Sequence, residues 1–181
     1  EKELGIDVLA MTDDYQEMMG HQIDLLELKP GDKILDVGAG TGWLVVRAME
    51  SGASKAVGIE PSANNVVQSK QDHPDIELQQ TTFESFDGKN QKFDEIVAVM
   101  SFPHIADLSA AFSKIRSLLT ENGEAIIIVP DYDYFQTPRY GYSIEQQSID
   151  EESYAIAVTR PSGTLADIVR KTSVYQRAAE S

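Results

Sequence analysis

Cysteine is absent from this 181-residue chain, which excludes disulfides, a thiolate zinc site and a cysteine nucleophile. No apolar stretch approaches the roughly eighteen residues that a membrane-crossing helix needs. The opening residues, Glu1-Lys2-Glu3-Leu4, lack the basic-then-apolar pattern of a secretory leader, so the expected address is cytoplasmic with no membrane partner. Basic residues are scarce as well: 15 Lys and Arg stand against 30 Asp and Glu, for a formal charge of −15. Nucleic acids and anionic lipids are gripped largely by clustered Lys and Arg, and the nearest thing to a cluster is the pair Arg170-Lys171. No nucleic-acid partner is therefore expected. A small-molecule substrate fits better, although solubility alone also accounts for such a charge. Nothing in the sequence sets the oligomeric state.

What is present is an ordinary globular composition, 41% hydrophobic and 25% charged, in a length that suits one domain over 1–181. Apolar strand-like runs at 33–37, 56–59, 76–78, 94–100 and 125–129 alternate with helix-like patterns. That order predicts an α/β fold: a Rossmann-like, doubly wound, mostly parallel sheet in a three-layer α/β/α arrangement. Thr12, Ser62 and Asp107 are placed to cap helices, the first running to about Leu26. Gly123 falls just past the helix that Asp107 starts, as a helix stop would. The run 125–129 is apolar on both faces and reads as a fully buried strand. Beyond it the pattern changes. Residues 131–142 hold tyrosines among polar residues without a clean period, and apolar runs near 154–169 flank the turn Arg160-Pro161-Ser162-Gly163 as a hairpin. A last helix begins near Thr172 and is still running at Ser181.

The chemistry gathers where the first strand enters Gly38-Ala39-Gly40-Thr41-Gly42. Parallel sheets bind ligands at the carboxyl ends of their strands. Positions without side chains let the backbone turn sharply against a ligand, while the next helix aims its first amides at the same space. Asp36 lies inside the apolar first strand, where a carboxylate must meet either a ligand or the N–H groups of the glycine turn. Glu60 ends the second strand, where an acid either accepts from both hydroxyls of a ribose or stays solvated. A nicotinamide site wants G-x-G-x-x-G. Here the spacing is G-x-G-x-G, and Trp43 stands where the third glycine of that pattern would be. An indole there obstructs a pyrophosphate, whereas an adenosyl sulfonium carries no phosphate and needs only close backbone contact.

The segments Ile34 to Gly42 (ILDVGAGTG) and Val57 to Ser62 (VGIEPS), with Thr81-Thr82-Phe83-Glu84 and Phe93 to Asp107, together resemble the motifs of class I S-adenosylmethionine-dependent methyltransferases, and specifically the small-molecule, type 11-like group. The resemblance covers about residues 12 to 130. It implies S-adenosyl-L-methionine as cofactor and S-adenosyl-L-homocysteine as product. It places Asp36, Gly38, Ala39, Gly40 and Gly42 at the methionine end, Glu60 on the ribose, and Pro61 and Ser62 beside the adenine. Thr82 takes the position of a family Asp that accepts from the adenine amino group, Phe83 offers its backbone N–H, and Met100 and Ser101 face the sulfonium. The family sheet closes with two further strands. Either the 154–169 hairpin is that pair, or 131–171 is a substrate flap and the closing strands lie beyond Ser181; the second is the favoured expectation.

Methyl transfer is an in-line displacement, so orientation and exclusion of water are the main tasks, and a base is needed only for a protonated acceptor. His104, just after the fourth strand, is the candidate base, with a structural role in the adjacent loop as its alternative. Tyr15, His104, Tyr132, Tyr134 and Tyr140 are the candidate substrate contacts, with Tyr15 also near the cofactor carboxylate; the later tyrosines equally suit a core edge. No metal site is expected. The competing readings are a nicotinamide-dependent oxidoreductase and a non-catalytic adenosyl-binding protein.

Overall fold

Apolar strands separated by amphipathic helices allow the central strands to be buried on both faces, as parallel pairing favours. The computed structural model describes residues 26, 28–136, 143–160 and 163–181. Its elements in order are β1 (Lys33–Val37), α1 (Trp43–Glu50), β2 (Lys55–Glu60), α2 (Ala63–Asp72), β3 (Glu77–Gln80), β4 (Phe93–Val99), a short 3-10 turn (Phe102–His104), α3 (Leu108–Leu118) and β5 (Leu119–Ile128). Then follow β6 (Ser143–Ser148), β7 (Ser153–Arg160), β8 (Gly163–Arg170) and α4 (Thr172–Glu180). The first five strands form one parallel sheet in the order β3-β2-β1-β4-β5. The remaining three form a separate antiparallel sheet, β6-β7-β8. The chain divides accordingly into two compact units, one of Leu26–Ile128 and one that takes in Val129–Ser181.

The core of the first unit is laid down by Ile34 and Leu35 of β1, Val57 and Ile59 of β2, and Ile96 and Val97 of β4, all essentially inaccessible. Each such side chain contributes about 1.5–3 kcal/mol by leaving water. Helix α1 packs Leu44, Val45 and Ala48 inward, and α3 packs Leu108, Ala111, Ile115 and Leu118. The two anticipated caps are formed: the Ser62 side chain accepts from the Asn65 N–H, and the Asp107 carboxylate accepts from the Ala110 N–H at 2.9 Å. The helix expected from Thr12 lies outside the described residues.

Two expectations are corrected. The fifth strand is not fully buried: Ala125 is exposed and Ile126 to Ile128 are half-buried, because β5 is the sheet's edge and pairs with β4 alone among the described residues. Gly123 is no helix stop. Helix α3 ends at Leu118 and β5 starts at once, with Gly123 inside it, where a Cβ would come within 2.9 Å of the Phe93 carbonyl oxygen. The close approach coincides with a register shift between Phe93 and Glu95 of β4. The hairpin over 154–169 does not join the parallel sheet, which removes the less favoured of its two readings. Its strands β7 and β8 pair with each other and with β6, a strand that the sequence pattern did not disclose.

Gly58 of β2 shows how tightly the ligand edge of the sheet is packed. A Cβ there would lie 2.5 Å from Leu78 Cδ1, 2.9 Å from Ala39 Cβ and 3.0 Å from Val45 Cγ2, so β3, the glycine turn and α1 all converge on the bare position. Gly58→Ala should therefore destabilise the chain by about 1–3 kcal/mol, the usual cost of overpacking, as read from the urea midpoint. An unchanged midpoint would show that the turn and α1 can move apart freely.

Candidate cofactor site

The glycine turn is built by crossing from β1 towards β2. The Ile59 carbonyl accepts both the Gly38 N–H at 2.9 Å and the Ala39 N–H at 3.0 Å, and the Gly42 N–H closes the turn on the Ala39 carbonyl at 2.8 Å. Glycine is required at Gly38 on two counts. Its φ is +78°, and a Cβ would fall 2.3 Å from Ser101 Cβ. Gly42, at φ +87°, is similarly pressed against Ile76. Gly40 differs: a Cβ there would have no neighbour within 4 Å among the described residues, so this face of the turn opens away from them. All three were singled out from the sequence, and the turn brings them together with Ala39 over the end of β2.

Glu60 is the side chain that locks this arrangement. It is 5% exposed, and its Oε2 accepts the Gly40 N–H at 2.9 Å. Its Oε1 accepts the Ser62 N–H at 2.8 Å and a longer contact from Asn65 Nδ2 at 3.4 Å. One carboxylate thus ties the loop after β1 to the loop after β2. A carboxylate offers about four lone-pair sites, so Oε2 keeps capacity for a ligand hydroxyl. Ser62 is engaged as helix cap and Pro61 is exposed beside it. Asn65, buried on α2 and braced against Glu60, was not singled out. Its one sequence signal is a polar residue on the face that also buries Val66 and Ser69.

Asp36 does not take the N–H groups of Gly38, Ala39, Gly40 and Gly42, which go to Ile59, Glu60 and Ala39. It is 4% exposed, and its Oδ2 finds no hydrogen-bond donor among the described residues. Burial, reinforced by the nearby Glu60 charge, pushes its pKa up to about 7.

At the end of β4 the chain is strained. Met100 adopts φ +56°, unusual for a residue with a side chain, and its N–H reaches the Ile128 carbonyl at 2.8 Å. Ser101 donates its hydroxyl to the Val37 carbonyl, which pins the β4 loop to the foot of the glycine turn. His104 ends the 3-10 turn, exposed, with its N–H on the Ser101 carbonyl at 3.1 Å. After β3, Thr82 is exposed and its Oγ accepts from the Ser85 N–H at 3.2 Å, while Phe83 is buried. The loops after β1, β2, β3 and β4 lie at the same carboxyl edge because the strands are parallel.

The tyrosines are held differently. Tyr132 belongs to the second unit, where its ring meets that of Tyr154 edge-on at 5.0 Å and its carbonyl accepts the Tyr154 hydroxyl. It packs there on Tyr154, Ile156, Val158 and Val169, with the Lys171 ammonium 5.4 Å from its ring centre. This is the core-edge role. Tyr134 is exposed and caps its turn through an N–H to Asp131 at 2.8 Å. Tyr15 and Tyr140 lie outside the described residues.

The raised Asp36 pKa has a stability consequence. Between the ordinary value of 3.8 and about 7, the folded chain keeps a proton that the unfolded chain has released. Stability therefore falls as pH rises through that window, by about 4 kcal/mol if the whole shift is realised. The stability difference between Asp36→Asn and the parent chain should move in the variant's favour from pH 4 to pH 8 in parallel urea titrations. A difference independent of pH would mean that Asp36 ionises normally.

The same architecture recurs in solved structures. The PH0226 protein of Pyrococcus horikoshii superposes with a TM-score of 0.76 at 17% identity, over 94% of this chain and 83% of that one. An S-adenosylmethionine-dependent methyltransferase of Mesorhizobium loti gives 0.66 at 16%, over 95% and 81%. Among curated proteins, the ubiquinone biosynthesis O-methyltransferase of Rhodopseudomonas palustris is 31% identical over 101 residues, which is 54% of this chain and 39% of that protein. An uncharacterized methyltransferase of Anoxybacillus flavithermus is 31% identical over 117 residues, 63% of this chain and 52% of that protein. The chain thus spans well under two thirds of these relatives' length. The methyltransferase domain model matches residues 11–180 and so takes in both units. On that match, this chain belongs to the methyltransferase domain family.

Proposed function

We propose that the chain binds S-adenosylmethionine at the carboxyl edge of its parallel sheet and moves the methyl group to a small-molecule acceptor. The observation that carries this reading is the glycine turn held by Glu60 with its Gly40 face open. The residues fit the group. Glu60 Oε2 has room to accept a ribose hydroxyl, and the buried Asp36 Oδ2, without a partner among the described residues, stands in the strand that leads into the turn, where an ammonium or a water bound to it would be welcome. Met100 and Ser101 follow β4, with Ser101 bonded to the strand that leads into the turn. When bound, the cofactor supplies a methyl carbon already activated by its sulfonium. The chain's part is to fix the sugar through Glu60, fix the amino-acid end along Gly38 to Gly42, and leave the reacting carbon in line with an acceptor. The charge of −15 favours a neutral or cationic acceptor over a polyanion. The relatives named for ubiquinone biosynthesis favour a hydroxyl. His104, exposed after β4, is the group assigned to remove the acceptor's proton. Its replacement by Gln should slow turnover and leave cofactor affinity intact; equal losses in both would place it in cofactor binding instead.

Calorimetric titration with S-adenosylhomocysteine, NAD and NADP tests the cofactor directly. Saturable binding of the first alone is expected. Glu60→Ala should then weaken it by about 1.5–3 kcal/mol, the scale of a hydrogen bond to a charged group. Binding of NAD in preference, or undiminished affinity in the variant, would remove the assignment, and radiolabelled methyl transfer to a panel of hydroxylated metabolites separates an enzyme from a binding protein.

A further inference from the structure

Lys114 lies outside every motif that marks the site, yet it reaches into it. From α3 its ammonium donates to the Phe83 carbonyl at 2.7 Å and to the Glu84 carbonyl at 3.0 Å, and it sits 5.3 Å from the Phe83 ring centre. Burial lowers its pKa, while the Glu84 and Asp87 carboxylates draw it back up.

Strand order says what that turn faces. With the sugar at the end of β2 and the amino-acid end over β1 and β4, the base must extend to the other side, towards β3 and the residues after it. The Thr81 N–H on the Glu60 carbonyl at 3.2 Å ties that segment to the sugar's position. Thr82, which stands where a carboxylate would accept from the base, has one lone pair on the Ser85 N–H and carries no charge, so it leaves part of the recognition of the base to the main chain. Across a trans peptide the C=O and the following N–H point in opposite directions. Drawing the Phe83 and Glu84 carbonyls to α3 turns the Glu84 N–H the other way, and the Ser85 N–H is the one Thr82 holds. Pinned like this, the turn presents a donor and withholds its carbonyls.

We propose that Lys114 is a positioning residue for base specificity: by holding the Phe83 and Glu84 carbonyls, it makes the turn after β3 select a purine whose edge nitrogen accepts a hydrogen bond. Adenine has such an acceptor at N1, whereas hypoxanthine carries a proton there. The inference rests on the cofactor reading above.

The test compares S-adenosylhomocysteine with S-inosylhomocysteine on the full chain, on Lys114→Met and on Lys114→Arg. The parent chain should prefer the adenosyl compound. Lys114→Met should lose on the order of tenfold in affinity for it, the worth of one charge-assisted hydrogen bond, with little change for the inosyl compound, and Lys114→Arg should restore the preference. The ratio of two dissociation constants does not depend on how much of a variant is folded. Equal weakening of both ligands in Lys114→Met, or an unchanged preference, overturns the proposal while leaving the cofactor reading standing. No binding of S-adenosylhomocysteine by the parent chain overturns both.

Discussion

The site depends on one buried carboxylate that joins two loops. Glu60 ends β2 and takes the Gly40 N–H with one oxygen and the Ser62 N–H with the other. Without those bonds, two amides of adjacent loops would lose their acceptor at the edge of a low-dielectric core, a cost of about 1–3 kcal/mol for each buried group left unsatisfied. The bonds also dictate geometry. Gly40 is held with its open face outward, Ser62 starts α2, and the acid itself is fixed at the point where a ribose would lie. Asp36 bears part of the consequence: its own burial is what chiefly makes it hold its proton, and the Glu60 charge adds to that.

Packing around the turn explains why so many side chains are missing there. Gly38 leaves room for Ser101, Gly42 for Ile76, and Gly58 for Ala39 and Val45. The glycines do different work: most let protein pack on protein, and Gly40 alone among the turn's three has no close neighbour among the described residues. The strained Met100 adds to the picture, because a positive φ at a strand end persists only where its surroundings enforce it. Here the Ile128 carbonyl and the Ser101 bond to Val37 supply that enforcement.

Much of this was legible in the residues, because it is local. The turn, the acids at the ends of β1 and β2, and the caps Ser62 and Asp107 all declare themselves over a few positions of spacing. What was not legible depends on register or reach. That Glu60, rather than Asp36, takes the Gly40 N–H follows from β1 and β2 pairing as Val37 with Ile59, which no spacing reveals. An apolar run such as 125–129 looks the same at an edge as in a centre, so the exposure of β5 could not be read. Strand β6 escaped notice because Ile144 is the one apolar residue in Ser143–Ser148. Lys114 and Asn65 act across elements, and a sequence shows only that they sit near buried stripes. The tyrosines were open to two readings, since aromatic content marks a surface to be covered as readily as a ligand mouth, and Tyr132 packs against the core of the second unit.

The most direct test of the account is a crystal structure of the chain with S-adenosylhomocysteine. It should show a ribose hydroxyl on Glu60 Oε2, the amino-acid end along the Gly40 face of the turn, and the base towards Phe83. A ligand bound elsewhere, or a Gly40 face closed by the chain's own atoms, would contradict it.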